Sequence, residues 1–160
     1  MLYDAPEHLK SIINRFVEKS GVKEPLSVKI QTNLPPSRGL GSSAAVAVAF
    51  VRASYDFMDQ PLDDKTLIKE ANWAEQIAHG KPSGIDTQTI VSNKPVWFKQ
   101  GQAETLKSLK LNGYMVVIDT GVKGSTKQAV EDVHVLCESD EYMKYVEHIG
   151  TLVHSASAVS

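Results

Sequence analysis

The chain has 160 residues, 42% hydrophobic and 22% charged, which is enough for a globular domain with a buried core. Its formal net charge is −2 and no basic run exceeds two residues, so nothing in it attracts a nucleic-acid backbone or an anionic membrane. The apolar stretches are short of a membrane span, the acidic N-terminus is unlike a signal peptide, and Cys137 is the single cysteine. These features predict a soluble cytoplasmic protein.

The first two predicted elements are a helix and a strand. Apolar side chains recur at helical spacing through residues 7–20, and Gly21 supplies a stop. The pattern then changes to alternation of apolar and polar residues, with one face formed by Leu26, Val28, Ile30 and Thr32. This period of two predicts a half-exposed strand.

A glycine-rich loop follows, with the sequence PPSRGLGSSAA at residues 35–45. The run after it is apolar nearly all round, which predicts a central, buried helix over about residues 44–57. Ser42 or Ser43 is the expected N-cap of this helix.

The next helix opens at Asp63 and Asp64 and ends at Gly80. The segment KPSGIDTQTIVSNKPVWF, residues 81–98, is interpreted as a loop followed by short strand material. GYMVVID at residues 113–119 predicts a buried strand.

The last part of the chain is predicted to be helical. A second glycine loop, GVKGST, leads into a helix that begins near Ser125 or Thr126, and the last thirty residues have a helical pattern. Strands and helices are mixed without a strict βαβ rhythm, so the predicted fold class is α+β.

The first glycine loop has the composition of a phosphate-binding loop. A strand, a glycine-rich turn and a serine-capped helix expose several backbone N–H groups at a positive helix end, and Arg38 would add charge. An ordinary strand-to-helix turn is the alternative. No lysine follows Gly41, which excludes a P-loop, whereas Gly39, Gly41 and Ala44 fit the Rossmann pattern formally. The Rossmann match is weak, because residues 35–38 separate the predicted strand from the first glycine. An NAD-dependent oxidoreductase, which this match would imply, is therefore poorly supported.

Two carboxylates stand out after this loop. At about 100° per residue, Glu75 falls about 80° from Leu67, on the apolar face of its helix, where a buried charge needs a partner. Asp86 follows Gly84 in a loop. A structural ion pair would explain Glu75 equally well, and a turn aspartate bonded to its own backbone would explain Asp86. No metal-ligand pattern or G-x-S-x-G elbow is present, and four histidines are interpreted as surface or cap residues: His79, His134, His148 and His154.

The glycine loop resembles the second signature of the GHMP kinases, a family that includes galactokinase, homoserine kinase, mevalonate kinase and phosphomevalonate kinase. The resemblance implies that ATP phosphates are wrapped by Pro36, Ser37, Arg38, Gly39, Leu40, Gly41, Ser42, Ser43, Ala44 and Ala45. HGKPSGID resembles the mevalonate-kinase form of the family's catalytic-aspartate segment. The acceptor implied is therefore mevalonate, a small molecule, with phosphomevalonate as an alternative.

The same resemblance assigns roles to individual residues. Asp86 would be the base or orienting group for the substrate hydroxyl, and Glu75 with the Ser43 hydroxyl would hold Mg²⁺, which takes few protein oxygens beside phosphate oxygens. Ser83 and Gly84 would line the acceptor side. A looser match, which a helix cap explains almost as well, suggests a segment near the transferred phosphate that contains Lys123, Ser125 and Thr126.

The implied architecture is a GHMP-kinase fold that is incomplete at both ends. Residues 1–110 would be part of the ribosomal protein S5 domain 2-like N-terminal, ATP-binding domain, and residues 111–160 would start the C-terminal domain. The family's initial strand and loop with its lysine, and its final glycine-rich segment, are not found in this sequence. We therefore expect uncovered sheet edges and apolar faces that favour self-association, and a non-catalytic nucleotide-binding or interaction fragment is the rival interpretation.

Overall fold

The computed structural model describes residues 6–99, 101–107, 113–114, 116–121, 124 and 126–157. These residues fall into two compact units, which divide after Asn93. The first unit contains the helices α1 (Glu7–Ser20), α2 (Ser42–Phe57), α3 (Asp64–His79) and α4 (Ile85–Ser92). The second contains β1 (Val96–Lys99), β2 (Gln102–Thr105), α5 (Thr126–Leu136) and α6 (Asp140–Ser157). The predicted boundary between family domains, after residue 110, stays a prediction.

Helix α1 has the predicted extent. Gly21 ends it in a left-handed conformation with φ of 66°, and its backbone N–H donates to the carbonyl of Val17. The left-handed conformation favours glycine, which has no Cβ to clash. The helical spacing of the apolar residues buries one face, formed by Leu9, Ile12, Ile13 and Phe16.

Helix α2 is the central helix of the first unit, as predicted, and packs against α1, α3 and α4. Its buried side chains are small, at Ala44, Ala47, Val48 and Val51, which lets the neighbouring helices approach closely. The predicted serine cap is wrong. Gly41, with φ of 64°, occupies the N-cap position, Ser42 is already helical, and no side chain caps the helix. A left-handed turn at glycine replaces the serine cap.

Helix α3 begins and ends where the sequence predicts. Asp63 is its N-cap, and the carboxylate accepts a hydrogen bond of 2.7 Å from the backbone N–H of Thr66. This bond, the largest influence, holds the pKa of Asp63 below its ordinary value. Gly80 follows the last turn and donates to the carbonyl of Gln76.

Helix α4 was not predicted, because the segment was interpreted as a loop before a strand. Gly84 and Asn93 bracket the helix in left-handed conformations, with φ of 84° and 50°. Its eight residues are rich in β-branched side chains, which favour strands locally. Tertiary packing favours the helix instead. Thr87 and Val91, four positions apart on one face, are both buried, and α4 packs on α2 and α3.

The core of the first unit lies between α1, α2, α3 and α4. It is formed by Leu9, Ile12, Ile13, Ala47, Val48, Val51, Leu67, Ala71, Ala74 and Val91. At one end the ring of Phe16 makes edge-to-face contacts with Phe50 and Phe57, each with ring centres 5.8 Å apart.

Two predicted strands are not formed. Residues 25–33 are not part of any sheet, and the apolar side chains of Leu26, Val28 and Ile30 are each 40% exposed. The described residues of 113–119 likewise form no strand, and Ile118 is 79% exposed instead of buried. A strand requires a hydrogen-bonded neighbour. The one ladder among the described residues joins β1 and β2.

The second unit contains the predicted short strand and two helices. β1 and β2 form an antiparallel hairpin in which Val96 pairs with Thr105 and Lys99 with Gln102. Helix α5 begins at Thr126, as predicted, and the described part of the last thirty residues is mostly helical, in α5 and α6. The ring of Trp97 lies 5.2 Å from that of His154, centre to centre. No helix in the described part of the chain is long and apolar enough to cross a membrane.

Candidate active site

The glycine loop meets α2 through three left-handed residues. Ser37, Gly39 and Gly41 have φ of 60°, 70° and 64°. Before the start of α2, residues 35–37, 39 and 40 are exposed and Arg38 is partly buried. The N–H groups of the first turn of α2 have no partner within the helix and lie at its positive end, where an anion is stabilised. The loop thus leads directly to a helix terminus suited to phosphate.

The first polar pair at this helix terminus joins α2 to α3. The Ser43 hydroxyl donates a hydrogen bond of 2.6 Å to Oε1 of Glu75. Glu75 is 5% exposed, as the apolar-face position predicted from helical spacing requires. Among the described residues, Glu75 forms no ion pair with a lysine or arginine. Its shortest hydrogen bond is to the Ser43 hydroxyl. The alternative of a structural ion pair with a lysine or arginine is therefore not observed.

Two histidines beside this pair were missed from the sequence. Nε2 of His8, in α1, lies 3.5 Å from the Ser43 hydroxyl, and Nε2 of His79 lies 3.6 Å from Oε2 of Glu75. Burial lowers the pKa of His8, an effect that the charge of Glu75 opposes and that of His79 reinforces. His79 is separated from Glu75 by four residues, one helical turn, a spacing that could have indicated the contact. His8 meets the pair only through tertiary packing.

Asp86 lies beside the glycine loop, in the first turn of α4 rather than in a loop. A Cβ atom placed on Gly41 would lie 3.6 Å from Cγ of Asp86, so the loop and the carboxylate are in close approach. The side chain of Asp86 is exposed. The structure thereby brings together the starts of α2 and α4, with Ser43 and Asp86 near them.

Ser83 and Gly84 lie immediately before α4 and line a groove of about 610 Å³ along α3. A Cβ on Gly84 would be 3.3 Å from Nδ2 of Asn72, a residue of α3 that the sequence did not single out. Lys123 and Ser125 lie outside the described residues. Thr126 is the first residue of α5, in the second unit.

The donor set of Ser43 and Glu75 fits Mg²⁺. Magnesium prefers oxygen ligands at about 2.1 Å, which puts neighbouring octahedral oxygens about 3.0 Å apart. The two oxygens here are already 2.6 Å apart. Among the described residues no group of three or more His, Cys, Asp or Glu side chains could hold a metal. A site of this kind would therefore have to take further oxygens from a phosphate and water.

Residues 7–93 match the family model described as the GHMP kinases N terminal domain. The match covers more than half of the 160 residues, and the chain belongs to this kinase family. The predicted family and its α+β fold are thereby confirmed.

Within the family, the chain is similar to mevalonate kinases. It is 36% identical to the mevalonate kinase of Aeropyrum pernix over 81% of this chain and 40% of that protein. It is 32% identical to the mevalonate kinase of Pyrococcus abyssi over 95% of this chain and 45% of that protein. The crystal structure of mevalonate kinase from methicillin-resistant Staphylococcus aureus is 66% identical, with a TM-score of 0.76 over 99% of this chain and 50% of that one. The chain thus spans about half the length of these relatives or less.

Proposed function

We propose that this chain provides the phosphate-binding and catalytic half of a mevalonate kinase, which transfers a phosphoryl group from ATP to the primary hydroxyl of mevalonate. The observation that carries the proposal is the meeting of three features at the start of α2. These are the left-handed glycine loop, the Ser43–Glu75 pair at 2.6 Å, and Asp86 in close approach to Gly41. The similarity to mevalonate kinases supports mevalonate as the acceptor, in preference to phosphomevalonate.

The glycine loop and the first turn of α2 would hold the phosphates of ATP. The glycines allow the backbone to approach an anion closely, and the N–H groups at the helix start donate to it. Arg38 is the cation within the loop. The proposed set is Pro36, Ser37, Arg38, Gly39, Leu40, Gly41, Ser42, Ser43, Ala44 and Ala45.

Asp86 would act on the acceptor. Its exposed carboxylate can accept a hydrogen bond from a substrate hydroxyl and so orient or deprotonate it, which is the protein's main direct part in phosphoryl transfer. Ser83 and Gly84 would contact the acceptor beside it. Lys123, Ser125 and Thr126 are proposed, on sequence resemblance alone, to lie near the transferred phosphate.

Ser43 and Glu75 would hold Mg²⁺, which when bound neutralises phosphate charge. Glu75 is buried, and its Oε1 already accepts a hydrogen bond from the Ser43 hydroxyl of α2. His79, at 3.6 Å from Oε2, lies next to the second carboxylate oxygen. The protein therefore holds both oxygens in position before a ligand arrives. A cytoplasmic location belongs to this proposal as well.

The metal assignment is tested by titrating ATP into the protein by calorimetry, with Mg²⁺ or with EDTA. We expect Mg²⁺ to strengthen ATP binding in the wild type. We expect Ser43→Ala and Glu75→Gln each to reduce this Mg²⁺-dependent increase in ATP affinity by at least about tenfold. Ser11→Ala and Glu18→Gln are matched controls on α1 that should retain it. Retention of the full Mg²⁺ effect in both site variants would exclude these ligands.

The catalytic assignment needs an acceptor and a complete enzyme. In a chimaera in which the S. aureus mevalonate kinase supplies the sequence outside the aligned half, Asp86→Asn should abolish phosphorylation of mevalonate while ATP binding survives. Asp56→Asn, an exposed substitution in α2, is the control. Near-normal turnover by the Asp86 variant would reject the role of Asp86, and transfer to phosphomevalonate alone would reject the acceptor. MgATP binding without any turnover would favour the non-catalytic rival.

A further inference from the structure

The Ser43 hydroxyl has a second polar neighbour besides Glu75. Nε2 of His8, in α1, lies 3.5 Å from Oγ of Ser43, whereas Oε1 of Glu75 lies 2.6 Å from it. A hydroxyl carries a single proton, so Ser43 donates to one of these two groups at a time. The shorter distance assigns the proton to Glu75 in this structure, and His8 is the alternative acceptor.

Ligation of a cation by Ser43 and Glu75 would change the hydrogen bond between them. A hydroxyl that ligates a cation turns its oxygen lone pairs toward the cation, and its proton points away because like charges repel. Oε1 of Glu75, as a ligand of the same cation, would lie on the cation's side of the hydroxyl. The Ser43 proton would then need another acceptor, because a hydroxyl that is withdrawn from water without a partner is unfavourable.

His8 is suited to accept this proton. Helix α1 packs against α2 and α3, and this packing brings His8 to Ser43. An imidazole is mostly neutral at pH 7 and above and then keeps one ring nitrogen as an acceptor, which the protonated ring lacks. Burial lowers the pKa of His8 and favours the neutral ring, an effect that the charge of Glu75 opposes and that of His79 reinforces.

We infer that His8 is a positioning residue for the metal ligand Ser43: Nε2 of His8 accepts a hydrogen bond from the Ser43 hydroxyl when Ser43 and Glu75 hold Mg²⁺. The inference rests on the proposed function, which makes these two residues the Mg²⁺ ligands. It adds a residue of α1 to a site whose proposed ligands come from α2 and α3. A group that hydrogen-bonds to a metal ligand orients that ligand, and its removal typically weakens metal binding about 10–100-fold.

The test is calorimetric titration of ATP into the 160-residue protein, with Mg²⁺ or with EDTA. We expect His8→Phe, which keeps a flat ring without an acceptor, to reduce the Mg²⁺-dependent increase in ATP affinity about tenfold. The ATP affinity in EDTA should stay unchanged, because His8 acts only through a metal ligand. His8→Gln should retain most of the increase, since its amide oxygen can accept the same hydrogen bond. His148→Phe makes the same change at an exposed histidine of α6 and is the matched control.

Nitrogen NMR of the histidine rings provides a readout that does not depend on affinity. Saturating Mg²⁺, added to the ATP complex, should shift the Nε2 resonance of His8 in the wild type, because this nitrogen becomes the acceptor for Ser43. The same addition should leave the resonance in place in Ser43→Ala, which has no hydroxyl to donate. An unchanged Nε2 resonance in the wild type would contradict the exchange of partners.

The calorimetric outcomes separate this inference from the metal assignment. If Ser43→Ala loses the Mg²⁺-dependent increase and His8→Phe retains it, the inference is overturned and the proposed ligands stand. If Ser43→Ala retains the full increase, the proposed ligand fails and the role of His8 fails with it. Equal losses in His8→Phe and His8→Gln, or a parallel loss of ATP affinity in EDTA, would assign His8 a purely structural role and overturn the inference.

Discussion

Glu70 and Glu75 are two carboxylates of α3 that the fold satisfies in different ways. Glu70 accepts from Arg15 at 3.1 Å and from Lys19 at 2.6 Å, and so is bound by two permanent cations. Glu75 is more deeply buried, and its closest partner is the neutral hydroxyl of Ser43. A carboxylate paired with a hydroxyl keeps its negative charge available to a cation. This contrast assigns a structural role to Glu70 and leaves Glu75 as the ligand candidate.

The ion pairs of Glu70 predict a pH dependence of stability. Burial is the largest single influence and would raise the pKa of Glu70, but the hydrogen bonds and charges of Lys19 and Arg15 together outweigh it, and the pKa lies below the ordinary value of 4.5. The pairs therefore stabilise the fold fully above pH 4.5, and this contribution is lost as the pH falls through the folded-state value. Glu70→Gln should lower the melting temperature at neutral pH and flatten its fall in acid.

Thermal denaturation from neutral to acidic pH measures this effect, with Glu18→Gln as an exposed control on α1. The control should keep the wild-type pH dependence. Parallel curves for the wild type and Glu70→Gln would contradict a stabilising ion pair at this position.

Part of the candidate site could be predicted from single residues, and part could not. The position of Glu75 on the apolar face follows from the period of α3, because periodicity fixes direction within one helix. The contacts of Ser43 with His8 and Glu75, at separations of 35 and 32 residues, depend on how α1, α2 and α3 pack. The close approach of the Asn72 side chain to Gly84 likewise arises only after α4 has folded onto α3.

At the scale of elements, helices with strong periodicity and clear stops were predictable and those decided by packing were not. Helices α1 and α3 have both signals and α2 is a long apolar run, whereas α4 has eight residues and a strand-like composition. Residues 25–33 show the converse, since alternation was present in the sequence but no neighbouring strand pairs with them in the described structure. The local sequence pattern indicates which secondary structure a segment can adopt. The tertiary contacts of the segment determine which one it adopts.

The start of α4 predicts the effect of one substitution. Gly84 has φ of 84°, and a Cβ there would lie 3.3 Å from the amide nitrogen of Asn72. Gly84→Ala should therefore destabilise the protein by the left-handed strain of about 1–2 kcal/mol plus the contact with Asn72. Gly21→Ala is the matched control, because Gly21 is also left-handed but has nothing within 4 Å.

Urea denaturation of both variants measures the difference. We expect Gly84→Ala to lose more stability than Gly21→Ala. This difference should disappear when both substitutions are made in an Asn72→Ala background. If the two glycine variants lose equal stability, the contact between α3 and the start of α4 is too loose to position Asp86.

At the scale of the whole molecule, burial is unevenly distributed. Every buried residue among those described precedes Lys94, and the core joins α1, α2, α3 and α4. Large apolar side chains are exposed in both units, among them Val28, Ile30, Ile118 and Ile149. Exposed apolar area of this extent is a common mark of surfaces that contact other polypeptides. The alternating segment from Leu26 to Ile30 has in addition no strand paired with its backbone.

We therefore expect the protein to self-associate as its concentration rises, in part through the apolar face of the segment from Leu26 to Ile30, because its alternating sequence suits a strand and its backbone is not paired within a sheet. Sedimentation velocity over about two decades of protein concentration measures this association. Val28→Lys should shift the equilibrium toward the monomer, since the charge is placed on the apolar side. Gln31→Lys adds the same charge to the polar side and should leave association nearly unchanged. A monomer throughout the range, or equal behaviour of the two variants, would exclude this segment as a contact surface.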